Sequence, residues 1–130
     1  MVRPSSRHPT ELELEILKII WRDGPSSGRH VCEALAGYRQ LAYTSVMTIM
    51  NIMVDKGYLR RTKRDGSYVY HARTTEKATR RRMLHDLVDR VFDGSATTVM
   101  VNLLENGDID SKELDALRRL INRKAKEKSS

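Results

Sequence analysis

Apolar positions between residues 41 and 56 recur at helical spacing and leave a polar face opposite them. The members of this stripe lie three or four residues apart: Val46, Ile49, Met50 and Met53. The period predicts a helix with one buried side. Thr44, Ser45 and Thr48 share the opposite side, and Gly57 ends the segment as a left-handed cap would. The helix is therefore expected to present short hydroxyl side chains to a partner.

Two segments of strand-like composition, residues 58–64 and 67–72, follow this helix and are joined by Asp65 and Gly66. Asp-Gly between such segments is typical of a tight hairpin, because both turn positions need a positive φ. Residues 56–64 hold five lysines and arginines and no acid. A helix that presents hydroxyls, followed by a basic hairpin, is the layout of a winged helix-turn-helix and predicts DNA binding.

The first forty residues predict two further helices. Thr10 and Glu13 fit a capping box, which would start a helix over residues 11–22. A break rich in turn-forming residues follows, and Ser26 is expected to cap a second helix over residues 27–35. These helices would supply the core on which the helix over residues 43–56 packs.

The last part of the chain predicts three helices with no strand between them, over residues 76–92, 96–105 and from about residue 110 onward. Each large apolar side chain that they leave in water forgoes about 1.5–3 kcal/mol of burial. A second copy would cover these stripes, so we expect a homodimer. The residues expected at its interface are Leu84, Leu87, Val88, Val91, Leu114, Leu117 and Ile121. The alternative is that the stripes pack on the winged domain of the same chain.

The expected fold is mainly α with a small β-hairpin, a winged helix-turn-helix domain followed by a three-helix dimerisation region. The winged domain would cover residues 10–73 and the dimerisation domain residues 74–126. A flexible basic arm is expected over residues 1–9 and a frayed tail over residues 127–130. A chain of 130 residues holds one ordinary domain, or a small one with such an appendage.

Composition favours a cytoplasmic protein with a polyanionic partner. The formal net charge is +7 and the pI is about 9.8. Residues 1–73 hold 12 basic and 7 acidic side chains, whereas residues 74–130 hold 12 and 10, so most of the excess lies in residues 1–73. One cysteine excludes an intramolecular disulfide and favours a reducing compartment. No apolar run approaches the roughly 20 residues of a membrane helix.

Catalytic and metal-binding motifs are missing from the sequence. It contains no nucleophile elbow, P-loop or H-E-x-x-H motif, so neither an enzyme nor a cofactor is expected. The histidines show no ligand spacing among themselves: His8, His30, His71 and His85. Cys32 is expected to be a small buried apolar residue, and no metal site is predicted.

Several segments together resemble the penicillinase-repressor family of winged-helix transcriptional regulators. The longest, LAYTSVMTIMNIMVDKGYL, is similar to the family's recognition-helix signature. The others are ELEIL-x-I-I-W, GYLRR…GSYVYHA, GSATTVMVNLLE and SKELDALRRLI, so the resemblance covers residues 11–121. It implies a homodimeric repressor that binds a palindromic operator and blocks transcription. The best-known members of the family control β-lactam resistance genes.

The resemblance implies roles for the residues at matching positions. Those that would read bases in the major groove are Ala42, Thr44, Ser45 and Thr48. Those that would contact the DNA backbone are Tyr43, Lys56, Arg60, Arg61, Lys63 and Arg64. Helix capping is an alternative role for Thr44 and Ser45. Ile52 departs from the family pattern, since relatives often carry arginine there, so the resemblance does not imply an operator affinity.

The resemblance also implies a means of release. In members that control resistance, the signal of a membrane sensor leads to proteolysis in the dimerisation helices, at an asparagine followed by a large apolar residue. Asn102 and Leu103 occupy the matching place, although relatives usually have phenylalanine after the asparagine. The alternative is that Leu103 is simply a core residue. Copper-responsive members carry a C-terminal CxC…CxC cluster, which this chain lacks.

Two other functions compete with that of a repressor. The winged helix could be a protein-interaction module, because fold alone does not prove DNA binding. It could also bind DNA without sequence preference. Salt dependence separates the first from the repressor, and a preferred DNA sequence separates the second.

Overall fold

The computed structural model describes residues 8–129, so most of the arm predicted over residues 1–9 lies outside the described residues. Six helices occur in that part of the chain: α1 (Glu11–Asp23), α2 (Gly28–Leu35), α3 (Tyr43–Lys56), α4 (Glu76–Val91), α5 (Ala96–Asn106) and α6 (Ser111–Ser129). The chain divides into two compact units after Leu84, within α4. The mainly helical fold with a winged-helix arrangement, predicted from the sequence, is confirmed.

The three strands form one antiparallel sheet. They are β1 (Ser26–Ser27), β2 (Leu59–Arg64) and β3 (Ser67–Ala72), in the order β1-β3-β2. The turn between β2 and β3 has φ of 52° at Asp65 and 82° at Gly66, as the Asp-Gly pair predicts. The hairpin that the sequence places here is therefore confirmed, and β2 begins at Leu59.

The assignment of Ser26 as the cap of the second helix was wrong. Ser26 belongs to β1, where it pairs with Tyr70, and its hydroxyl donates to the carbonyl oxygen of Gly24 at 2.7 Å. Ser27 is the cap instead, because its hydroxyl oxygen accepts from the backbone N–H of His30 at 3.1 Å. A strand of two residues is too short to show an alternating sequence pattern. Only the pairing of Ser26 with Tyr70 of β3 shows that Ser27 is the cap of α2.

The core of the first unit lies between α1, α2, α3 and the sheet. Its fully buried side chains come from all of these elements, for example Leu17, Leu35, Met50, Leu59 and Tyr70. The stripe predicted on α3 is confirmed: Val46, Met50 and Met53 are fully buried, and Ile49 is partly buried against them. Burial of this stripe fixes the rotation of α3 about its own axis.

One ion pair joins the first turn of α1 to the last turn of α3. The predicted capping box is present, since Glu13 N–H donates to Thr10 Oγ1 at 3.2 Å and Thr10 N–H donates to Glu13 Oε1 at 2.8 Å. The second oxygen, Glu13 Oε2, accepts from Lys56 Nζ at 2.9 Å. Glu13 is 3% exposed, so these bonds replace the contacts with water that its carboxylate loses on burial.

The second unit has a different character. No described residue from His85 onward is buried, and α5 and α6 expose large apolar side chains such as Met100, Leu103, Leu114 and Ile121. A monomeric chain therefore leaves these stripes in water, which is unusual for soluble proteins when side chains of this size share one helix face.

The last helix is longer than the sequence predicts. Residues 127–129, which were assigned to a frayed tail, are helical in α6. Alanine, lysine and glutamate are strong helix formers, and lysines near a helix C-terminus interact favourably with its dipole. Among residues 8–129, none of the helices combines the length and the apolar character that crossing a bilayer requires.

We predict that Lys56→Ala lowers the free energy of unfolding by about 3 kcal/mol, measured by urea denaturation. Removal of one partner from a buried ion pair leaves the other charge uncompensated, and such changes cost about 3–5 kcal/mol. The lower end applies because Glu13 keeps its bond from Thr10 N–H.

Arg80→Ala is the matched control for Lys56→Ala. The Arg80–Glu76 pair has a similar N···O distance, 3.0 Å, but its side chains are 74% and 41% exposed. Exposed pairs of this kind contribute about 0.3–0.5 kcal/mol. Equal losses in the two variants would show that the Glu13–Lys56 pair does not stabilise the fold.

Candidate nucleic-acid interface

The exposed side of α3 is the first component of the site. Thr44, Ser45 and Thr48 are all exposed, on the side of the helix away from the buried stripe. Ala42 is the N-cap residue and makes no side-chain capping bond, so Thr44 and Ser45 lie inside the helix and do not cap it. The sequence expectation that these three hydroxyls share an accessible face is met.

The Thr48 side chain has a defined orientation. Its hydroxyl donates to the carbonyl oxygen of Thr44 at 2.9 Å, one helical turn earlier. This bond uses the hydroxyl hydrogen and leaves the oxygen lone pairs free to accept a hydrogen bond from outside. Thr48 can therefore offer an acceptor and a methyl group, which suit a base amino group and a thymine methyl respectively.

The first turn of α2 lies close to α3. Gly28, in the first turn of α2, is buried, and a Cβ atom there would overlap the sulfur of Met47. Only glycine therefore lets the start of α2 lie against α3 without displacing Met47. The next residue, Arg29, places its guanidinium 5.5 Å from the ring centroid of Tyr43, which is 45% exposed.

Strand alternation divides the four basic residues of the wing, β2 and β3, between two faces. Arg61 pairs with the buried Tyr70, and Lys63 pairs with Tyr68, so this pair of cations lies on the face that packs toward α3. Arg60 pairs with His71 and Arg64 with Ser67, which places them on the opposite face. All four belong to one basic run in the sequence, whereas the sheet separates them.

Asn51 connects the wing to α3. Its Oδ1 atom accepts from Arg61 Nη1 at 2.7 Å and from the Tyr70 hydroxyl at 2.9 Å. The Arg61 guanidinium also lies 4.5 Å from the ring centroid of Tyr68. Because Asn51 is neutral, it positions Arg61 without cancelling its charge. Asn51 is not among the residues predicted from the sequence, although a polar side chain between Met50 and Ile52 could have indicated it.

Two side chains of β3, Tyr70 and His71, have shifted pKa values. Burial raises the pKa of Tyr70, and the neighbouring Arg61 opposes this shift only in part. Its hydroxyl therefore stays protonated and donates to Asn51. Burial, with the nearby charge of Arg60, lowers the pKa of His71, whose Nε2 lies 3.0 Å from Thr62 Oγ1. His71 is neutral at pH 7 for the same reasons.

Lys56 differs from the other residues assigned to the DNA backbone. Its ammonium is bonded to Glu13, and its side chain is only 16% exposed, so the structure gives it a role in packing α3 against α1. Tyr43, Arg60, Arg61, Lys63 and Arg64 are all exposed. Ile52 is partly buried.

The remaining candidate residues lie on the C-terminal helices. Leu84, Leu87 and Val91 of α4 and Leu114, Leu117 and Ile121 of α6 are 38–62% exposed, and Val88 is partly buried. Asn102 and Leu103 occupy the middle of α5, where both side chains are exposed and the Asn102 amide donates to the carbonyl oxygen of Thr98 at 2.9 Å.

Cys32, His30 and His85 each make local contacts of their own. Cys32 is partly buried against the core, and its sulfur lies 3.7 Å from the carbonyl oxygen of Leu41. His30 contacts Asp23, and His85 contacts Asp89. Within residues 8–129, no three side chains of the types that bind metals are grouped around one point.

Comparison with known proteins identifies relatives over most of the chain. The family model described as penicillinase repressor matches residues 9–123. Methicillin resistance regulatory protein MecI from Mammaliicoccus sciuri is 22% identical over 112 residues, which cover 86% of this chain and 91% of that protein. The penicillinase repressor of Bacillus licheniformis is also 22% identical over 112 residues, 86% of this chain and 88% of that protein.

A further relative has higher identity. Transcriptional regulator BlaI from Mycobacterium tuberculosis is 30% identical over 115 residues, which cover 85% of this chain and 80% of that protein. The family and these relatives are transcriptional repressors and not enzymes, so the prediction that the chain is not an enzyme is confirmed. The resemblance described from the sequence segments is confirmed as well.

We predict that Tyr70→Phe lowers the free energy of unfolding at pH 7 by about 1 kcal/mol, the usual net contribution of one hydrogen bond. The free energy of unfolding of the variant should also decrease less than that of the wild type in alkaline solution. The folded-state pKa of Tyr70 is raised, so its contribution to stability is complete below the unfolded pKa of about 10 and is lost as the pH rises further. Urea denaturation between about pH 8 and 11 measures both effects.

Tyr38→Phe is the control for the alkaline measurement, because Tyr38 is 57% exposed and removal of its hydroxyl leaves the core intact. It should retain the wild-type dependence of stability on pH. If Tyr70→Phe and Tyr38→Phe show the same slope above pH 10, then Tyr70 does not couple proton binding to folding.

Proposed function

The chain belongs to the penicillinase repressor family of transcriptional repressors, and we propose that it acts as a homodimer on a palindromic DNA operator. The observation that carries the proposal is the accessible hydroxyl face of α3 beside the basic face of the wing. In this arrangement one element reads bases while the other contacts phosphates, the division of roles that sequence-specific proteins use. A repressor of this kind acts in the cytoplasm, where it meets the chromosome.

The proposed reading residues are Ala42, Thr44, Ser45 and Thr48. All four are exposed, Ala42 as the N-cap of α3 and the other three in its N-terminal half, the part of a recognition helix that enters the major groove. Short side chains here let the helix backbone approach the bases closely. Thymine methyls would contact Ala42, and base edges would exchange hydrogen bonds with the hydroxyls.

The residues proposed to contact or attract phosphates form three groups. Arg61 and Lys63 lie on the face toward α3, so DNA bound to that helix would meet them directly. Tyr43 and Arg29, which lie together at the start of α3 and α2, would contact phosphates on the other side of the groove. Arg60 and Arg64 lie on the opposite face of the wing and would contribute mainly through long-range attraction.

The second copy in the proposal would cover the exposed stripes of the C-terminal helices. Neither α5 nor α6 has a buried residue, and each large side chain transferred from water contributes about 1.5–3 kcal/mol. Leu84, Leu87, Val88 and Val91 of α4, with Leu114, Leu117 and Ile121 of α6, are the proposed interface. A two-fold dimer also matches a palindromic site, since each copy reads one half.

We further propose that cleavage between Asn102 and Leu103 releases DNA, indirectly through a membrane sensor that responds to an antibiotic or cell-wall signal. The cut would separate α6 from the DNA-binding unit and remove three of the seven residues of the proposed interface. The bond lies inside α5, so α5 must unfold locally before a protease can act on it. A variant with both residues changed to aspartate that still released DNA on induction would exclude this route.

Selection of bound duplexes from a random DNA library tests the reading face. We expect a palindrome whose half-sites are about 34 Å apart, because two recognition helices must enter successive major grooves. Repeating the selection with Thr48→Ala should change the preference at a few base pairs by about 1–3 kcal/mol each. A pool without any shared sequence would support a non-specific DNA binder, and an unchanged palindrome with Thr48→Ala would exclude Thr48 as a reading residue.

The salt dependence of operator binding tests whether the two faces of the wing contribute differently to DNA binding. Arg61→Ala with Lys63→Ala should remove four phosphate contacts from a dimer and make the slope of log K against log salt less steep by about 3–4. Arg60→Ala with Arg64→Ala removes the same charge from the opposite face and should change the slope by less than about 1. Equal changes would show that the two faces are equivalent, and a weak dependence in the wild type would favour a protein-interaction module.

Leu117→Asp with Ile121→Asp should convert the protein to a monomer, measured by analytical ultracentrifugation. Each aspartate would place a charge in an apolar interface without a partner. Lys112→Asp with Lys126→Asp is the control, because it changes the charge of α6 outside the proposed interface. A dimer that survives the leucine and isoleucine changes would place the interface elsewhere.

A further inference from the structure

A groove lies on the side of the first unit where α1 ends. It has a volume of about 530 Å³. It is bounded by the end of α1, by the face of the wing that carries Arg60 and His71, and by the connection between β3 and α4. Ile20, Trp21 and Pro25 form its apolar wall. The dimensions are those of sites that hold small organic molecules, which combine apolar walls with a few polar groups.

Three basic side chains line the other wall of the groove. Arg60, His71 and Arg73 all border it, and Arg60 and His71 share one face because they are cross-strand partners in β2 and β3. Neither guanidinium has a hydrogen bond or an ion pair with another residue in the part of the chain that the structure describes. The acid in the lining, Glu76, is paired with Arg80 at 3.0 Å. The groove therefore presents uncompensated positive charge beside an apolar surface.

Trp21 is held in position at this wall. Its indole N–H donates to the carbonyl oxygen of Thr74 at 2.8 Å, which ties α1 to the connection that leads into α4. An indole with its polar atom satisfied offers its ring as an apolar surface. His71, whose lowered pKa keeps it neutral at pH 7, adds a polar ring without a further charge.

We propose that this groove binds a small organic anion, whose carboxylate or phosphate contacts Arg60 and Arg73 and whose apolar part covers Trp21 and Pro25. Guanidinium groups bind both oxyanions through paired N–H donors, so the two head groups share one recognition chemistry. The site is separate from the proposed DNA-reading face, because Arg60 lies on the side of the sheet opposite Arg61 and Lys63.

The test uses probes that contain one or both halves of such a ligand. Cyclohexanecarboxylate and cyclohexyl phosphate carry an apolar ring and an anion, whereas cyclohexanol and inorganic phosphate each carry only one of these. The protein has a single tryptophan, so the fluorescence and the indole N–H resonance of Trp21 report on this groove alone. The titrations are made with the full chain at constant ionic strength.

We expect at least one of the two complete probes to saturate the Trp21 signals at millimolar concentration, and neither half-probe to do so. A better response to the carboxylate or to the phosphate would identify the preferred head group. Arg73→Ala should weaken binding of that probe about tenfold, as expected for the loss of one charge-assisted hydrogen bond. Arg64→Ala, which removes the same charge from the wing outside the groove, should bind it as the wild type does.

Three outcomes would overturn the proposal. The signals could fail to saturate with both complete probes, or Arg73→Ala and Arg64→Ala could weaken binding equally, which would indicate general attraction to a basic surface. Arg73→Ala could also lower DNA affinity with a change in salt slope, which would make the groove part of the DNA interface. Circular dichroism and thermal unfolding of each variant separate these results from misfolding.

Discussion

Burial of one apolar stripe on α3 determines most of what the first unit can do. Val46, Met50 and Met53 are fully buried against α1, α2 and the sheet. Helical geometry then turns Thr44 and Thr48 outward, since residues on the other side of the same helix cannot also be buried. The exposed hydroxyl face, which is the proposed reading face, is thus a consequence of core packing, and a change in the stripe would rotate the hydroxyls with it.

Polar contacts between elements constrain the arrangement of α1, α3 and the wing more than apolar packing alone would. Glu13 and Lys56 join the beginning of α1 to the end of α3, and Asn51 joins the middle of α3 to the wing. In both cases a buried or half-buried acceptor is satisfied by donors from a distant part of the sequence. Because such groups are costly when unpaired, these contacts favour one arrangement of helix and wing over nearby alternatives.

The two units differ in how far they bury their large apolar side chains. The first unit buries its large side chains within one chain, whereas the described residues of the second unit bury none. Leu103 illustrates the difference, since it lies in a regular helix and is 57% exposed. The local helical pattern therefore predicts α4, α5 and α6, but it does not determine what covers their apolar stripes.

Local signals in the sequence determined the helices, the Asp65-Gly66 turn and the outward face of α3. Each depends on residues within one or two turns of each other, where period, caps and backbone preference act directly. Only the tertiary structure decided that Ser26 is a strand residue, that Lys56 neutralises Glu13, and that Arg60 and Arg61 serve opposite faces of the wing. Those outcomes depend on pairing between segments far apart in the chain, and the free energy of such contacts is not encoded in any single stretch.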